Sequence, residues 1–168
     1  MLGGRDRRSI GNSDRVAGTV GLHPEQLPHL VELLWDSDPI IAMRAADALE
    51  KVTRGKGNLL QPYKRQLLGL MAENTQPEVR WHLAVMVPRM RLTLNECQRI
   101  ATLLKGYLED RSSIVKTFAM QGLFELTRQD KSLLPEVGDL IRVLTRSGTP
   151  AMRARGRHLL KMLEENDL

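Results

Sequence analysis

Apolar residues recur along the chain in one spacing that appears four times. Ile41, Ala45, Ala48, Leu49 and Val52 sit at offsets 0, 4, 7, 8 and 11. Val79, Leu83, Met86, Val87 and Met90 repeat those offsets, as do Val115, Ala119, Gly122, Leu123 and Leu126. Met152, Gly156, Leu159, Leu160 and Leu163 form the fourth set. The offsets trace one stripe along a helix of about 3.6 residues per turn. The sets start at residues 41, 79, 115 and 152, steps of 38, 36 and 37. Such a period predicts stacked helical units. A second helical pattern precedes each stripe: Leu27, Leu30, Val31 and Leu34; Leu60, Tyr63, Leu67 and Leu70; Cys97, Ile100, Ala101, Leu104 and Leu108; Leu133, Val137, Leu140, Ile141 and Leu144. Each unit therefore reads as helix A, a tight turn, helix B and a polar connection. One hairpin cannot bury its apolar faces alone, whereas four stacked hairpins make a continuous core.

Punctuation follows the same register. Asp38-Pro39 and Thr149-Pro150 place a capping oxygen before a proline whose φ is already helical. Gln76-Pro77 is a weaker start of this kind, and Ser112-Ser113 opens the third B helix. Thr93 and Glu96 predict a capping box. Pro88 falls inside the second B pattern and predicts a kink or an early end, because it removes a donor and clashes one turn back. Pro28 predicts a late start to the first A helix. Ser13 or Asp14 is placed to cap a short helix through Val20 that covers the open end of the stack. The reading is a flexible basic arm over residues 1–12 and one domain over 13–168, with repeats at about 21–56, 57–92, 93–130 and 131–168.

Composition sharpens this in a few respects. Aromatic residues are 4% of the 168 residues, so the core is aliphatic and suits helix packing better than a β-sandwich. Cys97 is the only cysteine, which excludes an internal disulfide and cysteine-cluster zinc. Its place on an apolar stripe reads as a buried thiol. The net charge of +5 is compatible with nucleic acid, anionic lipid or an acidic protein and selects none of them. No run reaches the ~18 apolar residues of a membrane span. The start, Met1-Leu2-Gly3-Gly4-Arg5, lacks an apolar h-region, so the expected location is cytoplasmic.

The repeated motifs resemble HEAT repeats, a family of antiparallel helix pairs with an Asp in the turn after helix A and a Val-Arg pair opening helix B. Val79-Arg80, Val115-Lys116 and Met152-Arg153 match the pair, and Ile41-Ala42 keeps the apolar half. Asp36 and Asp110 match the turn Asp, Asn74 nearly so, and Ser147 departs. The resemblance covers roughly residues 21–165 and implies an all-α, right-handed α-solenoid of four antiparallel helix hairpins behind a short N-terminal capping helix. Glu78-Val79-Arg80-Trp81-His82 and Gly148-Thr149-Pro150-Ala151-Met152-Arg153 also resemble small bacterial HEAT-repeat proteins, a likeness that brings no activity with it. The resemblance implies that Arg80, Lys116 and Arg153 form a structural ladder, bonded to turn oxygens near Asp36, Asn74 and Asp110. The competing reading is a basic stripe that tracks phosphates.

Candidate chemistry is sparse. Arg153, Arg155 and Arg157 with Lys161 make a basic helix whose offsets of two spread charge around it; a solvated cap competes with a nucleic-acid site. Arg89, Arg91, Arg99 and Lys105 add positive charge near the second connection. Arg5, Arg7 and Arg8 in the arm suit phosphates or an acidic protein, or plain solubility. His23, His29, His82 and His158 show no metal-ligand spacing, so no metal is expected. Trp81 reads as packing between repeats or as an anchor for a base or partner. Asp36-Ser37-Asp38 reads as turn acid plus N-cap ahead of a metal motif. No phosphate loop, nucleophile elbow or zinc-protease motif is present, and no cofactor is expected.

The expected function is a non-catalytic scaffold that binds another protein through a concave surface of B helices. Trp81, His82, Arg89, Arg155 and Arg157, which lie off the stripe, are the expected binding residues. The alternative is a nucleic-acid binder using the same basic residues. Lower readings are a HEAT-like DNA-repair glycosylase, matched in architecture and charge, and a phycobilin lyase, which rests on fold analogy. No membrane partner is expected.

Overall fold

The computed structural model describes residues 11–166. The basic arm with Arg5, Arg7 and Arg8 lies outside the described residues. Among those described the fold is all-α, with nine α-helices and no strand. The chain divides into two compact units, Met1–Met90 and Arg91–Leu168.

In the first unit, α1 (Ser13–Leu22) is followed by a 3-10 turn (Pro24–Gln26), α2 (Leu27–Glu32) and a second 3-10 turn (Leu33–Trp35). Then come α3 (Pro39–Val52), a 3-10 segment (Gly57–Tyr63), α4 (Lys64–Glu73) and α5 (Pro77–Met86). Pro88 ends α5, and the chain continues as a 3-10 turn, Val87–Arg89. Pro28 stands in the first turn of α2, so the first A pattern becomes two 3-10 turns around six α-helical residues. The second unit holds α6 (Leu94–Tyr107), α7 (Ser113–Leu126), a 3-10 turn (Lys131–Leu133), α8 (Leu134–Ser147) and α9 (Pro150–Asn166).

The A patterns fall on α2, α4, α6 and α8, and the stripes on α3, α5, α7 and α9. All stripe residues are buried except Ile41, Val52, Leu160 and Leu163, which are half-buried. Within the first unit α2 packs on α3, α4 on α5, α3 on α5 and α1 on α3. Within the second α6 packs on α7, α8 on α9 and α7 on α9. Each fully buried leucine among them, such as Leu83 or Leu123, contributes about 1.5–3 kcal/mol relative to exposure.

The turns obey their cap residues. Asp38 Oδ1 accepts from the Ile40 N–H at 2.8 Å. Thr93 and Glu96 close the capping box at 3.2 and 2.8 Å. Ser112 and Thr149 hydroxyls accept from Val115 and Met152 N–H at 3.4 and 3.3 Å. The start of α1 differs from the expectation. Asn12 is the N-cap and makes no side-chain cap bond, while Ser13 donates its hydroxyl to Asp47 and Asp14 pairs with Lys51. Bonds to ionised partners are stronger than a neutral cap, so both side chains turn toward α3.

Glycine fixes two close approaches. Gly55 takes φ +72 in the loop after α3, and a Cβ on Gly57 would overlap the Arg89 carbonyl. In the second unit a Cβ on Gly156 of α9 would overlap the Thr145 hydroxyl of α8. Gly156→Ala is therefore expected to destabilise the chain by about 1–3 kcal/mol in urea denaturation. Thr145→Ala in the same chain should recover part of that loss, since the two changes meet at one contact. Additive costs would show that the helices do not touch there.

Candidate functional site

The expected binding residues of the first unit lie where α3 meets α5. Leucine and alanine of α3 face the core, which leaves Asp47, Glu50 and Lys51 on its flanks. Glu50 and Arg89 form one clamp. Arg89 Nη2 donates to Glu50 Oε1 at 2.5 Å, and Nη1 donates to the Glu50 carbonyl at 3.0 Å. Arg54 Nη2 holds the other carboxylate oxygen at 2.7 Å. Burial pushes the Glu50 carboxyl up, but Arg54 and Arg89 outweigh it and hold it below its ordinary value. With its side chain 23% exposed and both ends bonded, Arg89 is a structural clamp.

Asp47 is the centre of a second cluster. Its carboxylate accepts from Ser13 and, at 2.7 Å, from Lys51, and it faces His82 Nε2 at 3.4 Å. Burial raises the carboxyl, but hydrogen bonds from His82, Lys51 and Ser13, with the charge of Lys51, hold it far below the usual range. Lys51 is raised in turn: burial works against it and loses to Asp14 and Asp47. His82 Nδ1 donates to the Glu78 carbonyl at 2.5 Å, and the residue is 2% exposed. This removes His82 from the partner surface: the bulk of the ring fills the space between α3 and α5. Ser13, Asp47 and His82 are the side chains of a nucleophilic triad, but the serine bonds the aspartate rather than the histidine. The nucleophile–base contact that such chemistry needs is not formed. Trp81 is half-buried and stacks on His82 with ring centroids 3.4 Å apart.

The ladder residues have more local duties. Asp36, Asn74 and Asp110 each accept, through Oδ1, from the N–H two residues on, at 2.8 Å in all three cases. They close Asx turns that aim the following helix. Arg80 Nε donates to the Asn74 carbonyl at 2.7 Å, within the same turn. Lys116 is half-buried and Arg153 exposed, and neither side chain bonds another described residue. Asp36-Ser37-Asp38 is a turn plus an N-cap.

In the second unit Arg155 lies with its guanidinium carbon 5.5 Å from the Phe118 ring centroid, and Nη1 donates to Gln121 Oε1 at 3.0 Å. Arg157 is exposed. Between α7 and α9 runs an open groove of about 460 Å³, lined by Ile114, Phe118, Ala151, Ala154, Arg155 and His158. Ile114 is 53% exposed at its edge. Of the five expected residues, the structure brings Trp81, His82 and Arg89 into the first unit's packing, places Arg155 in this groove and leaves Arg157 on the surface.

Sequence reasoning missed Trp35, which is 49% exposed beside a groove of the first unit. Its signal was available: a tryptophan one position beyond the last stripe residue of an A helix. Among the described residues no group of three His, Cys, Asp or Glu is placed to hold a metal, and no helix is long and apolar enough to cross a membrane. Cys97 is buried, and burial pushes its thiol up, away from the reactive thiolate. Comparison with family models, curated proteins and solved structures gives no match.

Two outcomes test the clamps. A carboxylate held below its unfolded value of about 3.9 stabilises fully above that pH, and the contribution declines below it and is lost only as pH falls through the lower folded-state value. The stability gap between the parent chain and Asp47→Asn should therefore be widest near pH 6 and narrow as pH falls below about 4, with part of it still present at about pH 3, in urea denaturation. A constant gap would show that the carboxylate is not charge-stabilised. Arg89→Ala should cost about 2–3 kcal/mol at neutral pH, because it strips a buried carboxylate of a charged donor.

Proposed function

We propose that the chain is a HEAT-like α-solenoid of four helix hairpins that works as a non-catalytic scaffold for another protein. The observation that carries this reading is the α7–α9 groove. Ile114, Phe118, Ala151 and Ala154 give it an apolar floor, and Ile114 is exposed. Alanines one turn apart on α9 leave room for a partner's side chains, and every titratable group lining the groove is basic. An apolar seat with a polar rim is the anatomy of a protein interface. Burial of its apolar atoms supplies affinity, and Arg155 and His158 select partners that bear acids.

A second reading has its own observation. Arg153, Arg157 and Lys161 of α9 are exposed and four residues apart, so they lie on one face at steps of about 6 Å. Lys161 is 3.7 Å from Glu165, a weak exposed pair. This row suits a phosphate backbone.

Two measurements separate the readings. In affinity capture from native lysate, the full chain should retain a protein that Ile114→Asp loses. An empty capture, or equal retention by both, overturns the scaffold. In titrations of labelled duplex and single-stranded DNA and RNA at two salt concentrations, the scaffold reading expects no tight, specific complex. Binding that falls steeply with salt and disappears in Arg153→Glu/Arg157→Glu would establish the second reading instead.

A further inference from the structure

The first unit carries a groove that the scaffold reading does not use. It runs between α2 and α4, encloses about 540 Å³, and takes its floor from Val31 and Leu70. Trp35 stands at one end of α2 and Tyr63 just before α4. The chain has six aromatic residues in all, and two of them line this groove. Neither is fully buried: Trp35 is about half exposed and Tyr63 is half-buried.

Charge in the groove runs against the rest of the chain. The protein has a net charge of +5, yet the walls carry Glu32 and Glu73 against a single cation, Arg65. Glu73 is the last residue of α4, whereas the helical run of α2 continues past Glu32 as the 3-10 turn Leu33–Trp35. A helix C-terminus is already the negative end of the backbone dipole, so an acid there costs stability and a cation would add it. Glu32 is near His29 at 3.6 Å on the exposed face of α2, and Glu73 pairs with no described residue. Two carboxylates and the C-terminal end of α4 thus line one groove, with aromatic faces beside them. That combination attracts a cation: carboxylates pair with it, and Trp and Tyr faces hold it by cation–π attraction.

Gly69 adds an independent observation. It lies inside α4, where glycine is a poor helix former, and it lines the groove. A Cβ at Gly69 would meet nothing within 4 Å, so no neighbouring element requires its absence. The missing side chain keeps the groove open. Residues 63 to 73 span about 15 Å along α4, which matches roughly five residues of extended peptide.

We propose that the α2–α4 groove binds a short basic, apolar peptide segment of a partner protein. A lysine or arginine lies against Trp35 and between Glu32 and Glu73, and neighbouring aliphatic side chains sit on Val31 and Leu70 over Gly69. The occupant is cationic, in contrast to the acid-bearing partner of the α7–α9 groove.

A phage-displayed library of random heptapeptides, panned on the full chain and counter-selected on folded Gly69→Leu, tests this. Lysine- or arginine-containing peptides with aliphatic or aromatic neighbours should be enriched. The labelled winner should lose about tenfold or more in affinity on Trp35→Ala and on Glu32→Gln/Glu73→Gln. Gly69→Ala should raise the melting temperature and weaken the peptide together, a split that a purely structural glycine would not produce. Ile114→Asp should leave peptide affinity unchanged, so failure of the α7–α9 scaffold reading does not affect this outcome. Acidic winners, winners insensitive to the Trp35 and glutamate changes, or no enrichment over Gly69→Leu would overturn the proposal. So would self-association of the parent chain that Trp35→Ala abolishes, since the occupant would then be a second copy.

Discussion

Close approach of consecutive B helices is the constraint on which the rest of the molecule depends. α3 meets α5 and α7 meets α9, and their stripes hold buried small residues: Ala45 and Ala48, Ala119 and Gly122, and Gly156, which lies against Thr145 of α8. Small side chains let the backbones come near, and proximity then brings flanking polar groups into bonding range. Those bonds span similar sequence separations, 34 to 39 residues. Asp47 and His82 are 35 residues apart, Glu50 and Arg89 39, Ser113 and Thr149 36, and Gln121 and Arg155 34. Each bond spans about one repeat. The period therefore organises the polar contacts as well as the core.

That regularity explains what could be read from the chain and what could not. The helices, the 3-10 end after Pro88 and the capping box at Thr93 follow from local rules, and local rules are visible in sequence. The start of α1 misled because Ser13 has two acceptable uses. A cap is local, whereas Asp47 lies 34 residues away and is an ionised acceptor, so the distant bond wins. His82 and Arg89 were misplaced for a related reason. Both lie off the stripe, which on a lone helix means solvent. Beside a neighbouring B helix the same positions face Asp47 and Glu50. Searching for acid–base pairs one period apart would have found both contacts.

The clamps on α3 also sort the chain's charges by role. Asp47 and Glu50 are one helical turn apart and are largely buried, so each must be bonded or be costly. Between them they engage Ser13, Lys51, His82, Arg54 and Arg89. The basic composition is compatible with an anionic partner without selecting one. Here Lys51, Arg54 and Arg89 are paired within the protein, Arg54 at its surface, and the remaining charge is distributed locally.

Net charge is thus a poor guide to the charge of each groove. The α7–α9 groove is lined by Arg155 and His158 with no acid, whereas the α2–α4 groove sets Glu32 and Glu73 against Arg65. A stripe that recurs at a fixed spacing makes this division easy. The stripe fixes the core once per repeat, and the outward positions of each helix remain free to differ. Helix ends matter most among them, because the backbone dipole adds to whatever charge the sequence places there. Ile114 and Trp35 have the same standing: neither belongs to the stripe, neither is spent on a neighbouring helix, and each borders a groove. Positions unused by the repeat and by its one-period bonds are where this fold has room for recognition.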